Sequence, residues 1–507
     1  MRVAFLHPDL GIGGAERLIV DAASGLQDEG HEILIYTSHC DKTHCFEEVQ
    51  NGRLKVKVIG DWLPTSFLGK FKILFAFLRQ LVLVLTIIFT GEIKKHDFFI
   101  IDQLSYCVPL LHLFHSQRAK ILFYCHFPDL KLANHSGLLR SLYRAPFDII
   151  EQFSMSASDG IVVNSRFTRS IYDDSFKFLK DLIQPDVIYP CVDITTEEIT
   201  KETDKFFNQV IGKDEFFVSI NRFEIKKNIE LAIDSYIVFK SGNPSNNTKL
   251  IISGGYDHLN PENKIYLDRL VTKVSDAGLK SQTIFQSNHN LESNTTPASF
   301  EVLFLPSVTS NLKELLISRS KLLLYTPSFE HFGIVPLEAM KVGTPVLAIN
   351  NGGPVESIIS IDDDFENGIG YLIESKAELW ANKLKESLEL DKSKIIVNSQ
   401  RQLNSNFTKK VMINSFELEM VKLLKTPKKF YIWEYFRYTW KLPLLFGLKY
   451  LGGINSTFIG TLAIISVLKT DIFQIVLYAI VIYLYFAKFE WFEDFNNIRL
   501  DASKAFG

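Results

Sequence analysis

Short runs of β-branched and aromatic residues alternate with helically spaced apolar positions from the first residue of the chain. The runs at 2–7, 32–38, 54–60, 98–102, 120–126 and 160–164 read as strands of a first sheet, with 186–190 as its last strand. Between the first two, Ala15, Leu18, Ile19, Ala22, Ala23 and Leu26 recur at helical spacing, with Arg17, Asp21 and Asp28 on the other side. A polar stretch over 193–214 reads as a linker. A second series follows, with strands expected at 215–221, 249–254, 283–286, 302–305, 321–326 and 344–349. Strand and helix in strict alternation predict parallel sheets of βαβ units. Two doubly wound α/β domains in tandem follow, each with a ligand crevice at the carboxyl ends of its strands.

The pattern changes after Leu424. Residues 430–440 are dense in aromatics with Lys and Arg on both sides, as in a segment at a membrane interface. Two apolar stretches follow, 457–468 and 472–487, separated by Lys469, Thr470 and Asp471. Each is shorter than the roughly 20 residues of a standard span, so a short-helix hairpin, a monotopic insertion and two buried helices of a third domain all remain open. Arg437, Lys441, Lys449 and Lys488 flank the pair, which places both flanks in the cytosol. A third apolar segment, 71–90, falls inside the first domain. Lys72, Arg79 and Thr86, with Gln80, form one polar stripe on it, so it reads as a domain helix whose outer side can rest on a bilayer, against a helix packed wholly within the protein and a true span, which would cut the domain in two.

Composition narrows the classes. With 507 residues the chain holds about two to four domains at roughly 100–200 residues each. At 47% apolar and 22% charged it is a folding chain and not a disordered polymer. Lys and Arg total 55 against 58 Asp and Glu, a net charge of −3, which argues against a nucleic-acid binder. The 41 Phe residues exceed what a water-soluble enzyme needs, pointing to contact with something other than water. Cys40, Cys45, Cys107, Cys125 and Cys191 are odd in number and make no C-x-x-C pair, so neither a disulfide framework nor a zinc site is indicated. Met1 to Pro8 runs straight into Asp9 and a Gly-rich turn, which predicts no cleavable secretion signal. The sequons at Asn134, Asn246, Asn294, Asn406 and Asn455 are then chance matches.

Several segments carry chemistry. The first strand ends in His7-Pro8-Asp9-Leu10-Gly11-Ile12-Gly13-Gly14-Ala15-Glu16-Arg17. Free N–H groups where such a loop enters a helix favour an anion or sugar oxygens, although a plain tight turn is the competing reading. Glu16 stands where the third Gly of a dinucleotide fingerprint belongs, so that ligand is excluded. After the second domain's first strand come Asn221, Arg222 and, one loop away, Lys227. Arg222 can fork to two phosphate oxygens while Lys227 adds a second cation, the alternative being a solvated charge run. In the stretch from Thr326 to Met340, Pro336 suits the first helical position, which puts Glu338 in the first turn and Glu330 in the loop ahead of it. Asn350 to Glu356 forms a further Gly-rich turn suited to an anion. Asp362, Asp363 and Asp364 read as a solvated loop, and no metal site is expected.

In this order the pieces resemble the retaining, two-domain (GT-B) nucleotide-sugar glycosyltransferases of family four, over the chain up to about Leu424. The resemblance rests on Gly13 to Arg17, on Arg222 with Lys227, and on Glu330 and Glu338 as the E-x-seven-E motif. With the loop from His7, Tyr124 to Asp129, Asn221 to Asn228 and the apolar C-terminus, it is closer to the endoplasmic-reticulum mannosyltransferases that add the second and third mannoses to the dolichol-linked core. Asn221 departs from the family pattern, which has Gly before Arg222.

The resemblance implies two Rossmann-like domains facing a cleft: an acceptor-binding domain over 1–195 and a donor-binding domain over 213–410, then a crossover helix over 411–428 and a membrane-associated region over 429–507. It implies that Arg222 and Lys227 hold the donor diphosphate and Glu338 the ribose. Glu330, with the backbone N–H groups of Phe332 and Gly333, holds the sugar, and Gly13, Gly14, Glu16 and His126 line the cleft. Catalytic roles fall to Glu330, Lys227 and His126. Retention ordinarily suggests a carboxylate nucleophile, but none is identifiable near the Gly-rich turns, which favours same-face attack assisted by the leaving phosphate. Fixed cations aimed at the diphosphate stabilise its departure without a metal or other cofactor.

The implied reaction is transfer of mannose from GDP-mannose to mannosyl-chitobiosyl diphosphate dolichol, alpha-1,3 and then alpha-1,6, in lipid-linked oligosaccharide assembly for N-glycosylation. Its place is the endoplasmic-reticulum membrane with the catalytic domains in the cytosol, alongside other mannosyltransferases of the same assembly line. Two rivals stand beside it: a UDP-N-acetylglucosamine-dependent phosphoinositide glycosyltransferase and a silent membrane scaffold.

Overall fold

The first sheet runs β1 (Arg2–His7), β2 (Glu32–Thr37), β3 (Val56–Val58), β4 (Phe98–Asp102), β5 (Lys120–Cys125), β6 (Gly160–Val163) and β7 (Asp186–Val187). Its spatial order is β3-β2-β1-β4-β5-β6-β7, with every pair parallel. The computed structural model describes residues 1–67, 69–116, 118–133, 138–177, 179–195, 198–288 and 299–426. The apolar stretches expected after Leu424, with the membrane helices they imply, and the sequons at Asn134, Asn294 and Asn455 lie outside the described residues.

The second sheet holds β8 (Phe216–Ile220), β9 (Lys249–Gly254), β10 (Ser281–Thr283), β11 (Val302–Pro306), β12 (Leu323–Tyr325), β13 (Val346–Ile349) and β14 (Gly370–Ile373). Its order is β10-β11-β9-β8-β12-β13-β14, again all parallel. In both sheets the first strand of the half has the strand order reversing beside it, between β1 and β4 and between β8 and β12. Loops leaving the carboxyl ends on either side of such a reversal diverge and open a crevice. Central strands buried on both faces need continuous apolar runs, and Phe98-Phe99-Ile100-Ile101 and Val302-Leu303-Phe304-Leu305 are fully buried runs of that kind.

Three elements differ from the sequence expectation. The strand expected at 283–286 is instead Ser281–Thr283, an edge strand paired only with β11. β14 had no counterpart in the apolar pattern; it is short, and its Gly370 lets the chain run against the Val346 backbone, where a Cβ would fall 2.2 Å from the carbonyl oxygen. The supposed linker contains a helix, Lys201–Val210, capped by the Thr200 side chain on the Thr203 N–H. Phe206, Phe207 and Val210 of this helix are buried in the second sheet's core, so burial of a hidden apolar face overrides the polar composition.

The helix Gly14–Asp28 is also more buried than its one-sided pattern predicts. Asp21, Ser24 and Gly25 on its outer side are covered as well. The covering element is the helix Lys409–Lys425, which returns from the second half: Lys409 Nζ donates to Ser24 Oγ at 2.7 Å, and Ile413 lies where a side chain on Gly25 would sit. Met412, Ile413, Phe416, Met420 and Leu423 join Val3, Phe5 and Leu26 in one core. In the helix Lys72–Phe89 only the middle of the polar stripe, Arg79 and Gln80, is buried, while Lys72 at its start is exposed. Arg79 donates to the Ser38 carbonyl and pairs with Asp61, and Gln80 donates to the Leu104 carbonyl. The apolar remainder of that helix is only partly covered, and Phe89 at its end is 84% exposed.

Candidate active site

Strand register assembles the first half of the site. Leu6 stands opposite Ile101 and Asp102 opposite Tyr124, so His7, Asp102 and His126 come together at the carboxyl edge of three adjacent strands. The Asp102 carboxylate, fully buried, lies 2.8 and 2.9 Å from His7 Nδ1 and 2.9 Å from His126 Nε2. Glu16 reaches to 3.8 Å from His7 Nε2. It folds back over the end of its own helix, so that a Cβ on Gly13 would fall 2.2 Å from Glu16 Oε2, while the position of Gly14 is open. Burial works to lower the pKa of His7, but the charge of Asp102, the hydrogen bond to it and the nearby Glu16 carboxylate outweigh it and raise the value to about 10. Burial likewise works to raise Asp102, and the two histidines hold it below the usual carboxylate range.

In the second half, the loops after β8 and β12 flank the reversal of strand order. Lys227 Nζ lies 2.5 Å from Glu330 Oε2. Burial works to raise the pKa of Glu330, and the charge and hydrogen bond of Lys227 hold it down. Arg222 is largely exposed and pairs with Glu224 at 3.0 Å. Asn221, where the family pattern has Gly, is buried and donates to Ser219 Oγ and Thr326 Oγ1. Phe332 is buried, and Gly333, at φ 91°, is the N-cap of the helix Ile334–Lys341. The Gly-rich turn after β13 presses on this loop: Gly353 N–H donates to the Glu330 carbonyl at 2.7 Å, and a Cβ on Gly353 would lie 2.3 Å from Phe332 Cα.

Glu338 sits elsewhere than expected. The helix begins at Ile334, two residues before Pro336, which puts Glu338 in its second turn, away from the N-terminus. Pro is tolerated there because the first N–H groups of a helix need no partner within it. Glu338 Oε1 accepts from Lys313 Nζ at 2.7 Å, while its Oε2 is buried with no hydrogen-bond partner among the described residues. A buried carboxylate oxygen left so lacks the donor that buried polar atoms ordinarily have.

The two halves also touch. Ser165, the N-cap of the helix Arg166–Ser175, donates to the His331 carbonyl at 2.5 Å. Glu356, from the turn after β13, accepts from the backbone N–H groups of Phe167 at 2.7 Å and Arg166 at 2.8 Å, and from Tyr189 Oη at 2.9 Å. A carboxylate is favoured at that helix start by the free N–H groups and the dipole. The turn suited to an anion thus supplies an anion of its own to the opposite half.

Sequence reasoning missed Asp102, Lys313, Glu356 and the partnership of His7. Asp102 lies at a strand end and Glu356 in a Gly-rich turn, and that position was their only signal. Among the described residues no group of three His, Cys, Asp or Glu side chains is arranged to hold a metal ion.

Two parallel Rossmann-like halves with a Lys–Glu pair and a His–Asp–His cluster at their carboxyl edges define a GT-B glycosyltransferase. Residues 12–196 match Glycosyltransferase Family 4, and residues 291–409 match Glycosyl transferases group 1. The fold is that of Anabaena Alr3699/HepE, solved with UDP and glucose (TM-score 0.58, 18% identity, 83% of this chain and 99% of that one). It is also that of sucrose-phosphate synthase from Thermosynechococcus elongatus (TM-score 0.61, 14% identity, again 83% and 99%). Sequence kinship goes further. The alpha-1,3/1,6-mannosyltransferase ALG2 of Saccharomyces cerevisiae is 46% identical over 499 residues, covering 96% of this chain and 95% of that protein. Its counterparts in Eremothecium gossypii (49% over 443 residues, 85% of each chain) and Schizosaccharomyces pombe (43% over 436 residues, 85% and 83%) are similar. The chain belongs to the alpha-1,3/1,6-mannosyltransferase family.

Proposed function

We propose that the protein transfers mannose from GDP-mannose to mannosyl-chitobiosyl diphosphate dolichol with retention, adding an alpha-1,3 and then an alpha-1,6 mannose. The observation that carries this reading is kinship with alpha-1,3/1,6-mannosyltransferases over 96% of the chain. That kinship turns against a UDP-N-acetylglucosamine donor and a phosphoinositide acceptor. A silent scaffold is disfavoured by the intact Lys227–Glu330 pair and the unpartnered Glu338 oxygen.

In this reading Lys227 and Arg222 receive the donor diphosphate and offset the negative charge that grows as the glycosidic bond breaks, with no metal required. Glu330, relieved of Lys227 by the phosphate, turns to the mannose hydroxyls together with the N–H groups of Phe332 and Gly333. The free Oε2 of Glu338 accepts from the ribose. His126 meets the sugar or the acceptor hydroxyl from the facing half, with Gly13, Gly14 and Glu16 beside it. Attack comes on the face the diphosphate leaves, with a phosphate oxygen taking the proton of the acceptor hydroxyl.

An acceptor with a dolichol tail keeps the reaction at a membrane. The helix Lys72–Phe89 supports such a setting, because Arg79 and Gln80 are satisfied inside while much of its apolar surface is left uncovered. The reading places the catalytic halves on the cytosolic face of the endoplasmic reticulum, beside the other transferases of the same lipid-linked oligosaccharide. Purified full-length protein, a short-lipid mannosyl-chitobiosyl diphosphate and radiolabelled donors test it. Two added mannoses with alpha-1,3 and alpha-1,6 linkages are expected from GDP-mannose. Transfer from a UDP-sugar alone would refute the assignment.

A further inference from the structure

The Asp102 carboxylate lies between two imidazoles, from β1 and from the residue after β5, with no exposure to water. A buried carboxylate costs stability unless it is fully paired, and an apolar residue would close a sheet edge at lower cost. Its place is therefore informative: β1 and β4 flank the reversal of strand order, where doubly wound folds hold their ligand.

We propose that Asp102, braced by His7, is a positioning residue that fixes the tautomer of His126 and leaves its Nδ1 open as a hydrogen-bond acceptor for a sugar hydroxyl. The proposal rests on the glycosyltransferase reading of the cleft and deepens it. An ionised carboxylate only accepts hydrogen bonds, so the His126 nitrogen 2.9 Å away, Nε2, must carry the hydrogen. In the neutral ring the other nitrogen, Nδ1, then keeps its lone pair. Nδ1 has no partner among the described residues, and the side chain is 18% exposed, so that lone pair is available to a ligand. His7 has a different part. Its Nδ1–H bonds to both Asp102 oxygens and sets the plane of the carboxylate, while its ring is entirely enclosed and out of reach of any substrate. The charge on His7 also balances that on Asp102, so the carboxylate stays ionised as an acceptor for both rings.

Selective 15N-histidine labelling of the full-length protein reads the tautomer directly, with His126 assigned by its loss in His126→Gln. The expected wild-type signature is a protonated Nε2 and an unprotonated Nδ1. In Asp102→Asn the amide presents an N–H to one ring, and the expected signature at His126 is reversed or mixed. Mannosyl transfer by Asp102→Asn should fall on the order of 10²-fold in kcat, with the donor KM within a few-fold of wild type. In a His126→Gln background the same substitution should cost no further activity, because Asp102 acts through that ring. A protonated Nδ1 in the wild-type protein overturns the proposal, and so does a full additional loss in the double variant. If the wild-type protein transfers no mannose, the functional reading fails on its own, and the tautomer still decides the arrangement of Asp102.

Discussion

Phe127 and His331 stack face to face, with ring centroids 3.8 Å apart and planes 9° from parallel. One ring follows His126 in the first half of the chain and the other follows Glu330 in the second, so the contact fixes the spacing of these two loops. Burial pushes the His331 pKa down to about 4, which keeps the ring neutral and suited to stacking at physiological pH.

Phe127→Ala removes that contact. A stacked pair of this kind contributes about 0.5–1.5 kcal/mol beyond its buried area. The melting temperature is expected to drop only slightly, while kcat falls more than the donor KM rises. Steady-state kinetics on a short-lipid acceptor, with calorimetry on the same preparation, makes the comparison; equal effects on kcat and stability would count against a role in spacing the loops.

Lys227→Ala deletes the cation that Glu330 holds in place. Loss of one preorganised electrostatic partner of a transition state costs about 10²–10³ in kcat. Turnover should fall by that order while thermal unfolding stays cooperative. Near-normal turnover would remove Lys227 from the donor site.

Lys313→Met releases Glu338 from its 2.7 Å partner without emptying the space beside it. With both oxygens then free, the carboxylate loses its fixed orientation, and the expected result is a donor KM raised several-fold with kcat less affected. Calorimetric titration with GDP provides an independent check, since binding should weaken in parallel.

The two unusual histidines set opposite limits of pH stability. In an unfolded chain each titrates at about 6.5. The folded value for His331 is about 4, so between 4 and 6.5 the unfolded chain binds more protons, and stability is lost as pH falls through that window. For His7 the folded value is about 10, so between 6.5 and 10 the folded protein binds more protons. Its contribution is whole below 6.5 and is lost as pH rises towards 10. Melting temperature followed across pH should therefore slope down on both sides. His331→Phe should flatten the acid side and His7→Gln the alkaline side; a variant that leaves its own side unchanged would disprove that assignment.

Much of the fold was legible because local pattern suffices for it. Strands β1 and β4, with their continuous apolar runs, were found at their observed bounds. The Gly-rich turns and the Glu330 loop were marked by residue types with few other uses. What escaped was set by distance along the chain. Asp102 looked like a strand's polar end until the register of β1, β4 and β5 placed it between His7 and His126. Lys313 stood on an ordinary amphipathic helix, and nothing local tied it to Glu338, twenty-five residues on. The 193–214 stretch misled because Lys, Glu and Thr outnumber the apolar residues, although Phe206, Phe207 and Val210 do the packing.

The helix Lys409–Lys425 gives the protein an order of assembly. The first sheet is complete in sequence by Val187, yet the side chains that close its core, among them Ile413 and Phe416, are made only after the whole second half. During synthesis the early half must wait with one flank uncovered until residues 409–425 clear the ribosome. A chain stopped short of that helix leaves Gly25 and Ser24 bare and holds two unequal products, a finished second sheet and a first sheet that never closes.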